Sequence, residues 1–329
     1  MTPSAVGSTV RSVSGPVTTT DASPTPEAEA PAPEGIDVLE DRTARVGELV
    51  VRRALPKRTR RTVGPWCFLD HFGPASLDEA SMEIGPHPHT GLATVTWVVE
   101  GEILHRDSLG SEQLVRPGQL NLMSAGRGVA HAEESPVGAR GSLHGAQLWL
   151  AQPERTRTGP PAFEHHAELP VAELGGGVVA TVLVGELAGR RSPARGDHPA
   201  VGADVVVGGS AAVPLDPPFE HALVVLAGVV EVDGRTVVPG WLADLGRGRA
   251  EVELRGGAGA RVLLVGGAPF EFAPVMWWNF VGRTREEVAA ARVDWMARDE
   301  DRFGPVGSPL ERIPAPEVPW SPGMDRSAG

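Results

Sequence analysis

Three imidazoles and a carboxylate form a donor set that suits a first-row divalent metal, and this chain offers them as two close pairs. His87 and His89 lie in Gly85-Pro86-His87-Pro88-His89-Thr90-Gly91. His131 and Glu133 lie in Gly128-Val129-Ala130-His131-Ala132-Glu133. Side chains two apart on a strand point to one face. If the two pairs occupy neighbouring strands of one barrel, all four converge on one interior point. Fe, Mn, Ni, Cu and Zn all suit such a set. A six-coordinate ion with four protein ligands keeps two cis positions for water, O2 or a chelating substrate, as oxygen chemistry on a bound organic molecule requires. His-x-His alone is a weak motif. Two such pairs separated by a strand-rich stretch are far more specific.

Other residues near these pairs carry weaker signals. Glu134 follows the second pair, and alternation turns it away from the first three histidines. His105, Asp107 and Ser108, in LHRDSLG, could orient a ligand from behind or serve only a turn. Gln147 and Trp149 should line or flank the barrel interior. Asp70-His71 precedes the metal motif on a strand, with packing as the simpler role. His165-His166 are adjacent, face opposite ways on a strand, and read as surface. Cys67 is the only cysteine, so an intrachain disulfide is excluded, and it reads as buried and inert. His221 stands alone and reads as a hydrogen-bonded core or rim histidine.

The elements that must position these residues read as short strands. Gly47–Leu55, Trp66–Phe72, Leu92–Val99, Ile103–Ser108, Leu120–Ala125 and His144–Leu150 are rich in Val, Leu, Ile and Trp, with Gly and Pro turns between them. A second series runs from about Val178 through Val205–Val207, Ala222–Val232, Arg235–Val238, Ala250–Leu254 and Arg261–Val265, with Asp233-Gly234 as a hairpin turn. HTGLATVTWVVEGEI and EHALVVLAGVVEVDG are weak repeats, and each leads to a Pro-Gly turn. The fold class is therefore all-β, with two tandem barrels. One short C-terminal helix follows, with Thr284 as N-cap, Glu287 three residues on, and Val288, Ala291, Arg292 and Trp295 on one face to about Arg298. Residues 1–41, rich in Ser, Thr, Pro, Ala and Glu, read as a disordered tail. The first barrel then spans 42–168, the second 169–304, and an irregular Pro-rich end 305–329.

The composition sets limits on partners. The 329-residue chain has a formal net charge of −12, which disfavours nucleic acid or an anionic membrane as a partner. The longest apolar run, Ala222–Val230, is too short to span a bilayer, and the first 35 residues have no apolar core of a secretory signal. A cytoplasmic protein is the expectation.

HPH followed by TVTWVVEGEILHRDSLG, RPGQLNLMSAGRGVAHAE and HGAQLWL resembles the pirin family of the cupin superfamily, and MWWNFVGRTREEV with RFG resembles its C-terminal domain. The resemblance covers about residues 45–305. It implies two jelly-roll-like cupin barrels with one divalent ion in the N-terminal barrel only, on His87, His89, His131 and Glu133. Fe(II) leads the candidates, followed by Mn, Ni, Cu and Zn. Metal cupins in general carry a Glu about four residues after the second His. Here that position is Ala93, and Glu133 supplies the carboxylate. Some family members open flavonols such as quercetin with O2, so a quercetin 2,3-dioxygenase-type reaction on a chelating, flavonol-like substrate is expected, with Glu133 as catalytic base. The alternative is a metal-dependent regulator that binds a transcription factor or a metabolic enzyme without turnover. A monomer is expected, with a C-terminal barrel that serves packing or recognition and holds no metal.

Overall fold

The computed structural model describes residues 35–78 and 81–320. The expected disordered tail lies outside the described residues up to position 34. Within the range expected for it, Asp37–Leu39 is a strand.

Each half is a flattened barrel of one seven-stranded and one four-stranded sheet. The N-terminal large sheet runs in the order Ala162–His166, Leu120–Ser124, Leu92–Glu100, Ser142–Ala151, Trp66–Ser76, Leu49–Leu55, Arg42–Val46. Its small sheet runs Glu83–His89, Val129–Glu134, Ile103–Asp107, Glu112–Val115. The C-terminal half repeats the plan, with Ser210–Pro214, Glu251–Gly256, Val230–Val232 and Arg235–Val237 as its small sheet. These are the two tandem cupin-type barrels expected from the sequence.

Strand alternation explains how one sheet serves two cores. Ala93, Val95 and Trp97 point outward and join Leu148, Val224, Leu226, Leu263 and Val265 in an apolar layer between the two large sheets. Thr94, Thr96 and Val98 face the other way. The Trp66 indole N–H crosses this layer to the Val201 and Gly266 carbonyls, at 3.1 and 3.0 Å. The C-terminal barrel interior is filled by Val, Leu and Ala, including Val205, Leu223, Val252 and Leu264.

Both ends of the described part of the chain cross to the opposite barrel. Asp37–Leu39 pairs with Leu242–Arg247 in the C-terminal large sheet. Beyond the second barrel, Phe280–Gly282 returns to the first, where Val281 N–H donates to the Thr90 carbonyl at 3.0 Å. The helix Arg285–Met296 starts at the expected cap, with Thr284 Oγ1 accepting from Glu287 N–H, and buries Val288, Ala291 and Trp295. The irregular end is packed up to residue 320, and the remainder of the expected tail, 321–329, lies outside the described residues. Ile313, Ala315, Val318 and Trp320 pack with the helix and with Trp277 and Phe303. No helix among the described residues is long and apolar enough to cross a membrane.

Candidate metal centre

The strand that carries His87 and His89 is the edge of the small sheet. That position tolerates Pro86 and Pro88, which lack N–H donors. The C-terminal segment covers this edge: Ile313 N–H donates to the Pro86 carbonyl at 2.9 Å, and Gly85 leaves room where a Cβ would lie 2.1 Å from the Glu311 carbonyl oxygen.

His131 stands directly across from His87 in the ladder, and the register slips between His131 and Glu133. The ring nitrogens of His87, His89 and His131 lie within 4.8 Å of one another. His89 Nε2 and His131 Nε2 are 3.0 Å apart. Two nitrogens each about 2.1 Å from one ion at a right angle would be separated by about that distance, so the donor set fits a metal. The rings are 7%, 1% and 0% exposed, in that order. Burial lowers the His87 pKa to about 4 and pushes those of His89 and His131 well below the usual value. All three are therefore neutral imidazoles, the form that ligates.

Neighbours fix which nitrogen is free. His87 Nδ1–H donates to the Gly85 carbonyl at 2.9 Å, which leaves Nε2 with its lone pair. Asp107 only accepts, so His105 Nε2–H donates to it at 3.0 Å. His105 Nδ1 and His131 Nδ1 lie 3.3 Å apart, and with a neutral His105 this nitrogen accepts from His131 Nδ1–H, so that His131 Nε2 keeps its lone pair. Asp107 is itself held by Leu109 and Ser111 N–H. The LHRDSLG residues thus hold the His131 ring from behind as well as making a turn. Ser108 Oγ accepts from Ala130 N–H beside His131.

Glu133 is buried but stands outside the tight histidine set. It faces inward opposite His105 on the adjacent strand. The Thr96 hydroxyl lies 3.1 Å from Glu133 Oε1 and 2.8 Å from Gln147 Oε1. Burial raises the Glu133 pKa, against opposing contributions from His105 and Thr96. Glu134 points away and pairs with Arg106 and Ser308.

His87, His89 and Glu133 line a cavity of about 560 Å3. Gln147 and Trp149 line it as expected, Trp149 stacked on Phe68 at 4.0 Å. Asp70 is also on its wall, locked in a buried ion pair with Arg53 at 2.6 Å, while the Arg53 guanidinium lies 4.6 Å from the Phe68 ring centre. Trp278, Asn279, Leu310 and Ile313 close the wall from the C-terminal segment. Sequence reasoning missed Thr96 and this C-terminal wall. Strand alternation could have found Thr96, whereas only the long-range return of the chain brings the C-terminal residues here.

The remaining sequence candidates lie elsewhere. His71 Nε2 pairs with His144 Nε2 at 2.9 Å, away from the cavity. His165 and His166 are half-buried, bound to Asn121 and Glu164. Cys67 is fully buried and its thiol pKa is pushed up to about 12. His221 is a buried core histidine, as expected, but neither ring nitrogen has a hydrogen-bond partner of good geometry among the described residues. In the C-terminal small sheet, the buried inward positions carry Val213, Val252 and Leu254, which offer no metal donor.

Residues 48–150 match the Pirin family and residues 202–303 the Pirin C-terminal cupin domain. A Pseudomonas aeruginosa protein provisionally named a quercetin 2,3-dioxygenase is 47% identical over 292 residues, covering 86% of this chain and 91% of its own. A pirin-like protein of Caulobacter vibrioides is 38% identical, covering 79% and 92%. The crystal structure of quercetin 2,3-dioxygenase from Acinetobacter baumannii superposes with a TM-score of 0.83 at 42% identity, covering 86% of this chain and 96% of its own. With its three-histidine site for a single metal ion in the N-terminal barrel, the chain belongs to the pirin family.

Proposed function

We propose that the protein is an oxygenase of the quercetin 2,3-dioxygenase type, which acts on a chelating, flavonol-like small molecule. His87, His89, His131 and Glu133 hold one divalent ion, Fe(II) first among the candidates. The observation that carries this reading is a buried, neutral three-histidine cluster that opens through His87 and His89 onto a cavity of about 560 Å3 lined by aromatic side chains. A purely structural site needs no such opening. The similarity to proteins named as quercetin dioxygenases supports the same reading.

The bound ion would supply a Lewis acid for a substrate enolate and a meeting point for O2. The chain does the rest. Phe68, Phe72 and Trp149 offer flat apolar surface for an aromatic ring system. Glu133, with a pKa raised by burial, is placed to take the proton of the substrate hydroxyl and to keep it within the pocket. Thr96 can donate to that carboxylate or to Gln147, and so can release Glu133 at proton transfer.

The test is metal content of the purified protein, then O2 uptake with quercetin after loading with Fe(II). Stoichiometric metal and quercetin-dependent O2 uptake, lost in Glu133→Gln, are expected. Stoichiometric metal without uptake would overturn the oxygenase reading and favour a metal-dependent protein-binding regulator.

A further inference from the structure

The C-terminal barrel contains a second cavity, of about 770 Å3, which the metal chemistry does not use. His221 lines it and is 0% exposed, so it belongs to the deep end. The ring comes from the strand Glu220–Ala227, and shares its face with Leu223 and Val225 of the apolar core. Directly across the ladder is Gly266, where a Cβ would lie 2.5 Å from His221 Cδ2. The neighbouring strand thus has a residue without a side chain where the imidazole needs space.

An imidazole in this place is costly for the fold. Among the described residues, neither ring nitrogen has a hydrogen-bond partner of good geometry, although buried polar groups almost always have one. Its neighbours in this barrel core are apolar, among them Val201, Ala203, Leu223, Val225 and Leu264. A histidine that served packing alone would be replaceable by Leu or Val. Leu187, Val201, Leu215, Phe219 and Leu264 give the wall its apolar part, while Glu186, Asp216 and His198, whose Nε2 donates to the Ala268 carbonyl, are polar residues on it. Arg155 and Arg191 are exposed and also line it, but each is already engaged, with the Asp197 carbonyl and with Glu186.

We propose that this cavity is a second small-molecule site, which takes a hydroxyl-bearing apolar ring compound with its hydroxyl on His221. A neutral imidazole has one donor and one acceptor, and a hydroxyl is the compact group that satisfies both. A carboxylate would use only the donor. The neutral form is the one present, since burial lowers the His221 pKa to about 4, opposed only by the Phe219 backbone. The volume lies within the range that holds a drug-sized molecule.

The test uses 2-naphthol, titrated calorimetrically into the full-length protein, with naphthalene as the hydroxyl-free control. The site is expected to bind one 2-naphthol in the His87→Ala variant, which disables the metal centre but leaves this cavity intact. Binding should weaken at least tenfold in His221→Phe and also in Leu215→Trp, which fills the cavity without touching the histidine. Naphthalene should bind at least tenfold more weakly than 2-naphthol. Three results would each overturn the proposal: unchanged binding in both cavity variants, loss of binding in His87→Ala alone, or equal affinity for the two ring compounds.

Discussion

The histidine cluster holds its tautomers through second partners, and that makes single substitutions informative. His87→Ala removes a ligand whose Nε2 is presented by the Gly85 carbonyl, and should lose most bound metal by elemental analysis. His221→Ala, in the other barrel, should keep full metal. His105→Phe leaves every histidine of the tight set in place but removes the acceptor for His131 Nδ1–H. A 10- to 100-fold loss of metal affinity is expected, which a competition titration with a chelator would measure. The three clustered histidines were legible as members of two pairs with residues two apart. The orientation of His131 through His105 to Asp107 was legible only as one of two equal readings, because Asp and Ser favour turns with or without a metal nearby.

A second residue-scale prediction concerns acid. His71 is buried against His144, and burial first, then His144 and Arg52, lower its pKa to about 3. The unfolded chain would take up that proton near pH 6.5 and the folded chain would not. Stability from this group is therefore complete above about pH 6.5 and is lost as pH falls toward 3, by about 1.4 kcal/mol per pH unit. Urea unfolding at pH 7 and pH 5 should show a smaller loss for His71→Gln than for the parent chain, by about 2 kcal/mol. An equal loss in both would refute the assignment. No sequence signal singled out this pair, since it forms only where Trp66–Ser76 and Ser142–Ala151 lie side by side.

At the scale of elements, the motif Gly85–Gly91 does two tasks. Its histidines face the cavity while its glycines admit the returning C-terminal segment. Gly91 has φ 67°, and a Cβ there would lie 2.2 Å from the Val281 carbonyl oxygen. Gly91→Ala therefore combines left-handed strain of about 1–2 kcal/mol with a backbone clash that pushes Phe280–Gly282 off the metal barrel. A stability loss of at least about 2 kcal/mol in urea is expected; an unchanged midpoint would mean that this contact is dispensable. Thr284→Ala, which removes only the helix N-cap, should cost about 1 kcal/mol. The helix was legible because cap, acidic first turn and apolar face agree locally. The strands were legible by alternation and turn punctuation. The packed segment 305–320 was not, because Pro-rich sequence carries no periodicity and its order comes from the surface on which Ile313, Ala315 and Val318 rest.

At the scale of the whole molecule, the repeated barrels suggest two independent units, but the chain ends argue otherwise. The first strand, Asp37–Leu39, completes the C-terminal large sheet. The last elements, from Val275 onward, cover the N-terminal barrel and form part of its cavity wall through Trp278, Leu310 and Ile313. Between the barrels, Val95, Trp97, Val224 and Leu263 share one apolar layer, so separation would expose it on both sides. Neither barrel can unfold without stripping a strand or a wall from the other. Scanning calorimetry of the metal-free chain should therefore give one cooperative transition with calorimetric and van't Hoff enthalpies in agreement. Two resolved transitions would show that the exchanged ends are loosely attached. In that case the C-terminal wall of the metal cavity would be able to leave while the histidine cluster stays folded.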